Sequence, residues 1–201
     1  TSFTFEAWMR SDAVASNSSQ TVMAFTTPEV THEMALLITD RSIQTVVRAM
    51  RTTTAAPDVD FTCWNFVTWV WTSLSGRTSV YVNGGILGST IDQSKGVSID
   101  PTGEFRLGGA FKGSLSNVML WALPRQIQDV KIDMEDGFCG LGCVMHLEFS
   151  FPGNIGFDSS LNFNDLEQDH FNQLPMRALP SSSSSIIFTG SASSLAARYN
   201  F

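Results

Sequence analysis

The residues best suited to chemistry are carboxylates. Lys131-Ile132-Asp133-Met134-Glu135 sets Asp133 and Glu135 two positions apart, a spacing that on a β-strand brings both side chains to one face. Retaining glycoside hydrolysis needs two carboxyl groups about 5 Å apart, which a Glu-x-Asp-x-Glu strand supplies. Here Lys131 holds the first position, and the segment follows a helical pattern, so surface charge is the expected role and hydrolysis a minor alternative. A second group, Asp158, Asn162, Asn164, Asp165 and Asp169, offers the hard oxygen donors that calcium prefers, with Asp158 and Asp165 as candidate ligands. The spacing lacks the central Gly and terminal Glu of an EF-hand loop. Asn/Asp/Ser-rich turns also arise for backbone reasons alone, so turn chemistry and a calcium site both stand as readings.

Cysteine and histidine narrow the chemistry further. Cys139 and Cys143 are close in sequence and are expected to form a disulfide, which leaves Cys63 as a buried thiol, because three cysteines cannot all pair internally. A four-ligand zinc spacing is absent. His32, His146 and His170 are scattered, no Ser or Cys has a Gly-x-Ser-x-Gly context, and Gly108-Gly109 lacks the Lys and helix of a phosphate loop. Nothing here makes a positive case for an enzyme. Asn17-Ser18-Ser19 is an N-glycosylation acceptor if the chain is secreted.

The elements that must position these residues are mostly strands. Phe3, Phe5 and Ala7 alternate with Thr4, Glu6 and Trp8, the period of a half-buried strand. Similar patterns predict strands over Val22–Thr26, Met34–Thr39, Ile43–Met50, Asn65–Ser73, Thr78–Val82, Glu104–Leu107 and Ser116–Trp121, with a tight turn at Asn83-Gly84-Gly85. Several short strands with frequent turns indicate a sandwich or barrel. Pro124 to Val130 reads as one or two helical turns, with Pro at a tolerated first position. After Asp136-Gly137 the texture changes to a Gly/Cys turn, a strand-like Val144–Phe149, an Asn/Asp/Ser-rich segment, the serine run 181–185 and a short strand at Ile186–Gly190. This places a candidate boundary at 136/137.

Composition bounds the class. The chain has 201 residues, 43% hydrophobic and 15% charged, enough apolar side chain for one large sandwich core. Twelve Lys and Arg against 19 Asp and Glu give a net charge of −7, a field that repels polyanions, so nucleic acid is not an expected partner. The most apolar stretch, Phe61 to Val70, is broken by Thr62, Asn65 and Thr68 and falls short of the roughly 20 residues a membrane helix requires. A low-charge, Ser/Thr/Asn/Gly-rich surface fits an extracellular or cell-surface protein. The chain opens directly in a strand pattern, so any signal peptide is expected to lie outside this sequence, as part of a longer protein.

Three segments in order carry a resemblance: Phe3-Thr4-Phe5-Glu6-Ala7-Trp8; Trp64-Asn65-Phe66-Val67-Thr68-Trp69 leading through Gly76 to Val80-Tyr81-Val82-Asn83-Gly84; and Leu107-Gly108-Gly109 through Phe111-Lys112-Gly113-Ser114-Leu115-Ser116-Asn117-Val118 to Trp121. Over about residues 1–135 the chain resembles laminin-G-like and pentraxin domains, and this implies an antiparallel two-sheet jelly roll of the concanavalin A-like kind. In that setting Trp8, Trp64, Trp69, Trp71 and Trp121 are expected as buried rings between the sheets. The pentraxin disulfide is missing, since Glu6 and Thr68 stand at the matching positions. The acidic calcium loop is missing too, since Leu107-Gly108-Gly109-Ala110-Phe111 runs through without carboxylates, so the broader laminin-G-like class is the better match. The tail, with Val144–Phe149, Gly156-Phe157-Asp158-Ser159-Ser160 and Ile187-Phe188-Thr189-Gly190-Ser191, resembles segments that in this class precede the first strand.

The expectation is an all-β, antiparallel two-sheet jelly-roll sandwich. Residues 1–136 form the jelly roll without its usual first strand. Residues 137–201 form a connector and a strand that either closes the sandwich or begins a next repeat. The expected function is a non-catalytic adhesion or assembly module, one repeat of a cell-surface or filament protein, whose partners are other copies, neighbouring repeats, or cell-surface or matrix proteins. The alternative is a calcium-assisted lectin that binds glycans, and the minor alternative a glycosidase of the same fold.

Overall fold

The structure is a computed structural model that describes residues 2–12, 18–100, 102–137 and 140–147, together with the backbone of 195–199. In chain order the strands are β1 (Ser2–Ser11), β2 (Gln20–Thr26), β3 (Met34–Ile38), β4 (Ser42–Val47), β5 (Met50–Ala55), β6 (Asn65–Thr72), β7 (Arg77–Val82), β8 (Gly85–Thr90), β9 (Gly103–Leu107) and β10 (Gly113–Trp121). Helix α1 (Ile127–Asp136), β11 (Cys143–Leu147) and β12 (Leu195–Tyr199) follow. One sheet runs β11-β10-β1-β6-β7-β8; the other runs β9-β2-β3-β4-β5, with β12 alongside β9. Every pairing is antiparallel, as the jelly-roll reading requires.

Alternation within the strands builds the core. Phe3, Phe5, Ala7 and Met9 point inward from β1, beside Val67, Trp69 and Trp71 of β6, and meet Met23, Phe25, Leu36, Ile38 and Phe105 from the facing sheet. Each large side chain buried this way contributes about 1.5–3 kcal/mol. Phe3 meets Trp69 edge to face, with ring centroids 4.6 Å apart at 89°.

The loop after β8 fastens the two sheets together. Buried Gln93 donates from Nε2 to the carbonyls of Thr45 (3.1 Å) and Met50 (2.9 Å), and its Oε1 accepts from Thr78 Oγ1. Trp71 Nε1 donates to the Gln93 carbonyl at 2.9 Å, and Ser94 Oγ donates to the Val47 carbonyl at 2.7 Å.

Several expectations need correction. Ile43–Met50 is not one strand: β4 and β5 form a hairpin whose two-residue turn, Arg48-Ala49, has φ of 46° and 63°. Such a turn normally recruits Asn or Gly. Here hydrogen bonds from Arg48 N to the Glu33 carbonyl (2.9 Å) and from Ala49 N to the His32 carbonyl (3.1 Å) hold the unfavourable conformation. The turn expected at Asn83-Gly84 forms with φ of 51° and 74° and joins β7 to β8. The helix is longer than one or two turns. Asp129 Oδ2 accepts from Gln126 N at 3.2 Å near its start, and Gly137, with φ 61°, closes it by donating to the Asp133 carbonyl at 2.9 Å.

Strand β1 is covered on both faces, because Thr4 and Glu6 are fully buried as well as Phe3 and Phe5. Trp121 is not between the sheets: it lies on the outer face of the first sheet, clustered with Phe66, Met119 and Val130 of α1. Trp69 and Trp71 are in the inter-sheet core as expected, while Trp8 and Trp64 are only half-buried. Residues 148–194, with the expected strand at Ile186–Gly190 and the serine run, lie outside the described residues.

Candidate functional site

The outer face of the first sheet gathers the ionisable residues. Because Phe3, Phe5 and Ala7 face the core, Thr4, Glu6 and Trp8 must face the other way. Register then sets Glu6 opposite Thr68 of β6 and opposite Met119 of β10, and Met119 opposite His146 of β11. Glu6 and Thr68, the positions matched to the pentraxin disulfide, are therefore cross-strand neighbours. They face each other as a carboxyl and a hydroxyl.

Helix α1 covers this row. Asp133 is buried on its inner side and binds Arg125 in a fork: Nε to Oδ2 at 2.9 Å, and one terminal nitrogen to Oδ1 at 2.7 Å and to Oδ2 at 2.6 Å. The Arg125 guanidinium stacks on Trp121, 4.0 Å from the ring centroid. Trp121 Nε1 donates to Glu6 Oε2 at 2.8 Å; Glu6 Oε1 is buried and receives no donor, and the Glu6 carboxyl lies in hydrogen-bond reach of Asp133, to which it donates when protonated. Thr4 Oγ1 anchors the approach to the helix, donating to the Leu123 carbonyl and accepting from Arg125 N, both at 2.9 Å.

These contacts decide the charge states. Burial, with the nearby charge of Asp133, pushes Glu6 up to about 8, against the pull of the Trp121 hydrogen bond and of Arg125. Burial also raises Asp133, although Arg125 opposes it. Glu6 is thus the neutral acid of the pair at pH 7, and Asp133 the carboxylate matched to Arg125. With Glu6 at 0% and Asp133 at 2% exposure, neither carboxyl can come within hydrogen-bond reach of a dissolved molecule in this arrangement. What the arrangement does is store a proton and fix a helix to a sheet.

The sequence expectations can now be placed. Asp133 and Glu135 lie on a helix rather than a strand, where two positions span about 200° of rotation. Asp133 is buried and Glu135 exposed, so surface charge describes only Glu135. Cys63 is an exposed free thiol rather than a buried one. It sits in the turn leading to β6, where Sγ donates to Asp60 Oδ2 at 3.4 Å, and that contact raises its pKa. Cys143 is buried and is not a free thiol.

Cys139, Asn17, His170 and the calcium candidates Asp158 and Asp165, with Asn162, Asn164 and Asp169, lie outside the described residues. Among the described residues no group of three or more His, Cys, Asp or Glu could hold a metal ion, and no helix is long and apolar enough to cross a membrane. The half-buried tryptophans are Trp8, 5.4 Å from Phe66, and Trp64, over which Arg10 lies at 5.6 Å. The Glu6 cluster escaped sequence reasoning because its members are far apart in the chain. The one local signal was Glu6 itself, the single carboxylate of β1.

Comparison with known proteins agrees with the fold. The family model described as the concanavalin A-like lectin/glucanases superfamily matches residues 1–131. Among solved structures, a heptameric SAP-like pentraxin from Limulus polyphemus superposes with a TM-score of 0.58 at 18% identity, over 66% of this chain and 69% of that one. A Bacteroides ovatus protein described as carbohydrate-binding gives 0.59 at 21%, over 84% of this chain and 47% of that one. The CBM40 of the Ruminococcus gnavus IT-sialidase, solved bound to α2,3-sialyllactose, gives 0.50 at 12%, over 65% and 80%. The chain thus spans about half of the B. ovatus protein. Comparison with curated protein sequences returns no significant relative.

Proposed function

The chain belongs to the concanavalin A-like lectin/glucanases superfamily, and from that premise we propose that it is a non-catalytic extracellular module of adhesion or assembly. The observation that carries this reading is the use of the first sheet's outer carboxyls. Glu6 and Asp133 are spent on Trp121 and Arg125 beneath α1, and Glu135 stands apart on the exposed side. The site is built for rigidity.

Assembly draws support from the second sheet. Its β9 edge is covered by β12, five residues from the far end of the chain, in the register Leu195 to Leu107 through Tyr199 to Gly103. A short edge strand joined through a long intervening segment is the kind of element that copies of a protein exchange. In the proposal, residues 1–136 form the body, and residues 137–201 supply connector and strand to the same body or to a neighbouring copy or repeat. A Cys139–Cys143 bridge and a glycan on Asn17 suit the same extracellular setting. Removing residues 186–201 should lower the sedimentation mass of the assembled protein or cause its open edge to aggregate. Unchanged assembly would overturn the proposal.

A second reading is a calcium-assisted lectin using Asp158 or Asp165. It is favoured by the fold shared with the B. ovatus protein and the R. gnavus module, whose descriptions name carbohydrate. A glycan array read with calcium and with chelator separates the two, since the adhesion reading expects no saturable sugar binding.

A further inference from the structure

We propose that α1 is a proton-dependent clasp: while Glu6 keeps its proton the helix stays closed on the first sheet, and ionisation of Glu6 beside Asp133 loosens the helix and uncovers the apolar face beneath it. The geometry confines the effect to one place. Val130 and Asp133 are the buried residues of α1, so Asp133 is one of only two side chains that press the helix fully onto the sheet. The face it covers presents the apolar Phe66, Met119 and Trp121 around Glu6, Thr4 and Thr68.

The groups around Glu6 set the charge balance. From the loop before the helix comes Arg125; from α1 come Asp133 and, 4.0 Å from an Arg125 terminal nitrogen, the half-exposed Asp129. Strand β6 contributes the uncharged Thr68, and β10 contributes Met119 and Trp121. Strand β11 contributes His146, one strand beyond Met119 on the same row, and β1 itself carries Arg10 at its far end, paired with Asp12 at 3.7 Å. With Glu6 protonated, Arg125 and Asp133 balance. With Glu6 ionised, two buried carboxylates share one guanidinium, Glu6 Oε1 has no donor, and lifting the helix separates the like charges and admits water. Burial holds this change near pH 8, inside the range a protein meets in solution.

Hydrogen exchange read by mass spectrometry on the whole chain between pH 6 and 9.5, corrected for intrinsic rates, tests the clasp. Protection of residues 127–136 should fall by up to about tenfold per pH unit as pH rises to about 8 and level off above it, as release of one proton on opening dictates, while β6 stays protected. Glu6→Gln, which keeps the shape and cannot ionise, should abolish the fall. Trp121→Phe removes a donor that favours the charged form and should move the fall to higher pH. A flat profile in the parent chain would overturn the proposal, as would an unaltered fall in Glu6→Gln, which would place the pH response outside Glu6.

Discussion

Asp133→Asn tests the buried cluster at its centre. The substitution keeps the shape of the side chain and removes the charge that answers Arg125. The parent pair makes three contacts of 2.6–2.9 Å, with Asp133 2% exposed and the Arg125 side chain 18% exposed. Breaking a buried pair from one side costs about 3–5 kcal/mol, because the remaining charge loses its partner in a poorly solvated place. Arg125 keeps some water and retains Asp129 at 4.0 Å, which puts the expected cost at the low end, about 3 kcal/mol near pH 6. At pH 9 the cost should shrink, since the substitution also removes the repulsion between Asp133 and an ionised Glu6. Replacing both partners, Arg125→Met with Asp133→Leu, should cost far less than the two single changes added together. Urea denaturation with an unchanged m-value measures all four corners of the cycle. Additive single changes, or an Asp133→Asn protein within about 0.5 kcal/mol of the parent, would refute the reasoning.

Three further outcomes are expected. Glu6 is raised from 4.5 to about 8 in the folded chain, so its contribution is complete below about pH 4.5, declines by up to about 1.4 kcal/mol per pH unit, and is gone above about pH 8. Denaturation midpoints across pH 4 to 9 should show this slope in the parent and a shallower one in Glu6→Gln. Gln93→Ala should cost about 3 kcal/mol in thermal or urea unfolding, since it strands the Thr45 and Met50 carbonyls and Thr78 Oγ1 at the junction of the sheets. Cys63 should react with a thiol-directed label in the native protein at stoichiometry one, and intact mass with peptide mapping should find no label on Cys143 without reduction and unfolding.

Much of the fold was legible in the sequence because period-2 alternation reports directly which side chains face a core. Phe3, Phe5 and Ala7 on β1, and Val67, Trp69 and Trp71 on β6, point where that pattern put them. Asn83-Gly84 was legible for a local reason as well, the tolerance of both residues for positive φ. Arg48-Ala49 was hidden because its turn is held by the backbone of His32 and Glu33, which no local pattern reveals. The second covering of β1 was hidden in the same way. Glu6 occupies the outward position of its strand, and its burial comes from a helix more than a hundred positions along the chain. Trp121 was recognised as a buried ring but assigned to the wrong side of the sheet, since burial and facing are separate facts when both faces are covered.

The assembly reading, in which a neighbouring copy takes up the last strand, is tested most directly by crosslinking across β12 and β9. Ala196 stands opposite Arg106, and opposed residues in an antiparallel pair are about 4.5–5.5 Å apart at Cα, within disulfide range. Arg106→Cys and Ala196→Cys are placed on separate chains, each also carrying Cys63→Ser, then mixed, unfolded and refolded together under mild oxidation. The account predicts a covalent dimer that joins an Arg106→Cys chain to an Ala196→Cys chain through those two residues. Failure of that dimer to form, with a crosslink appearing only when both substitutions share one chain, would contradict it.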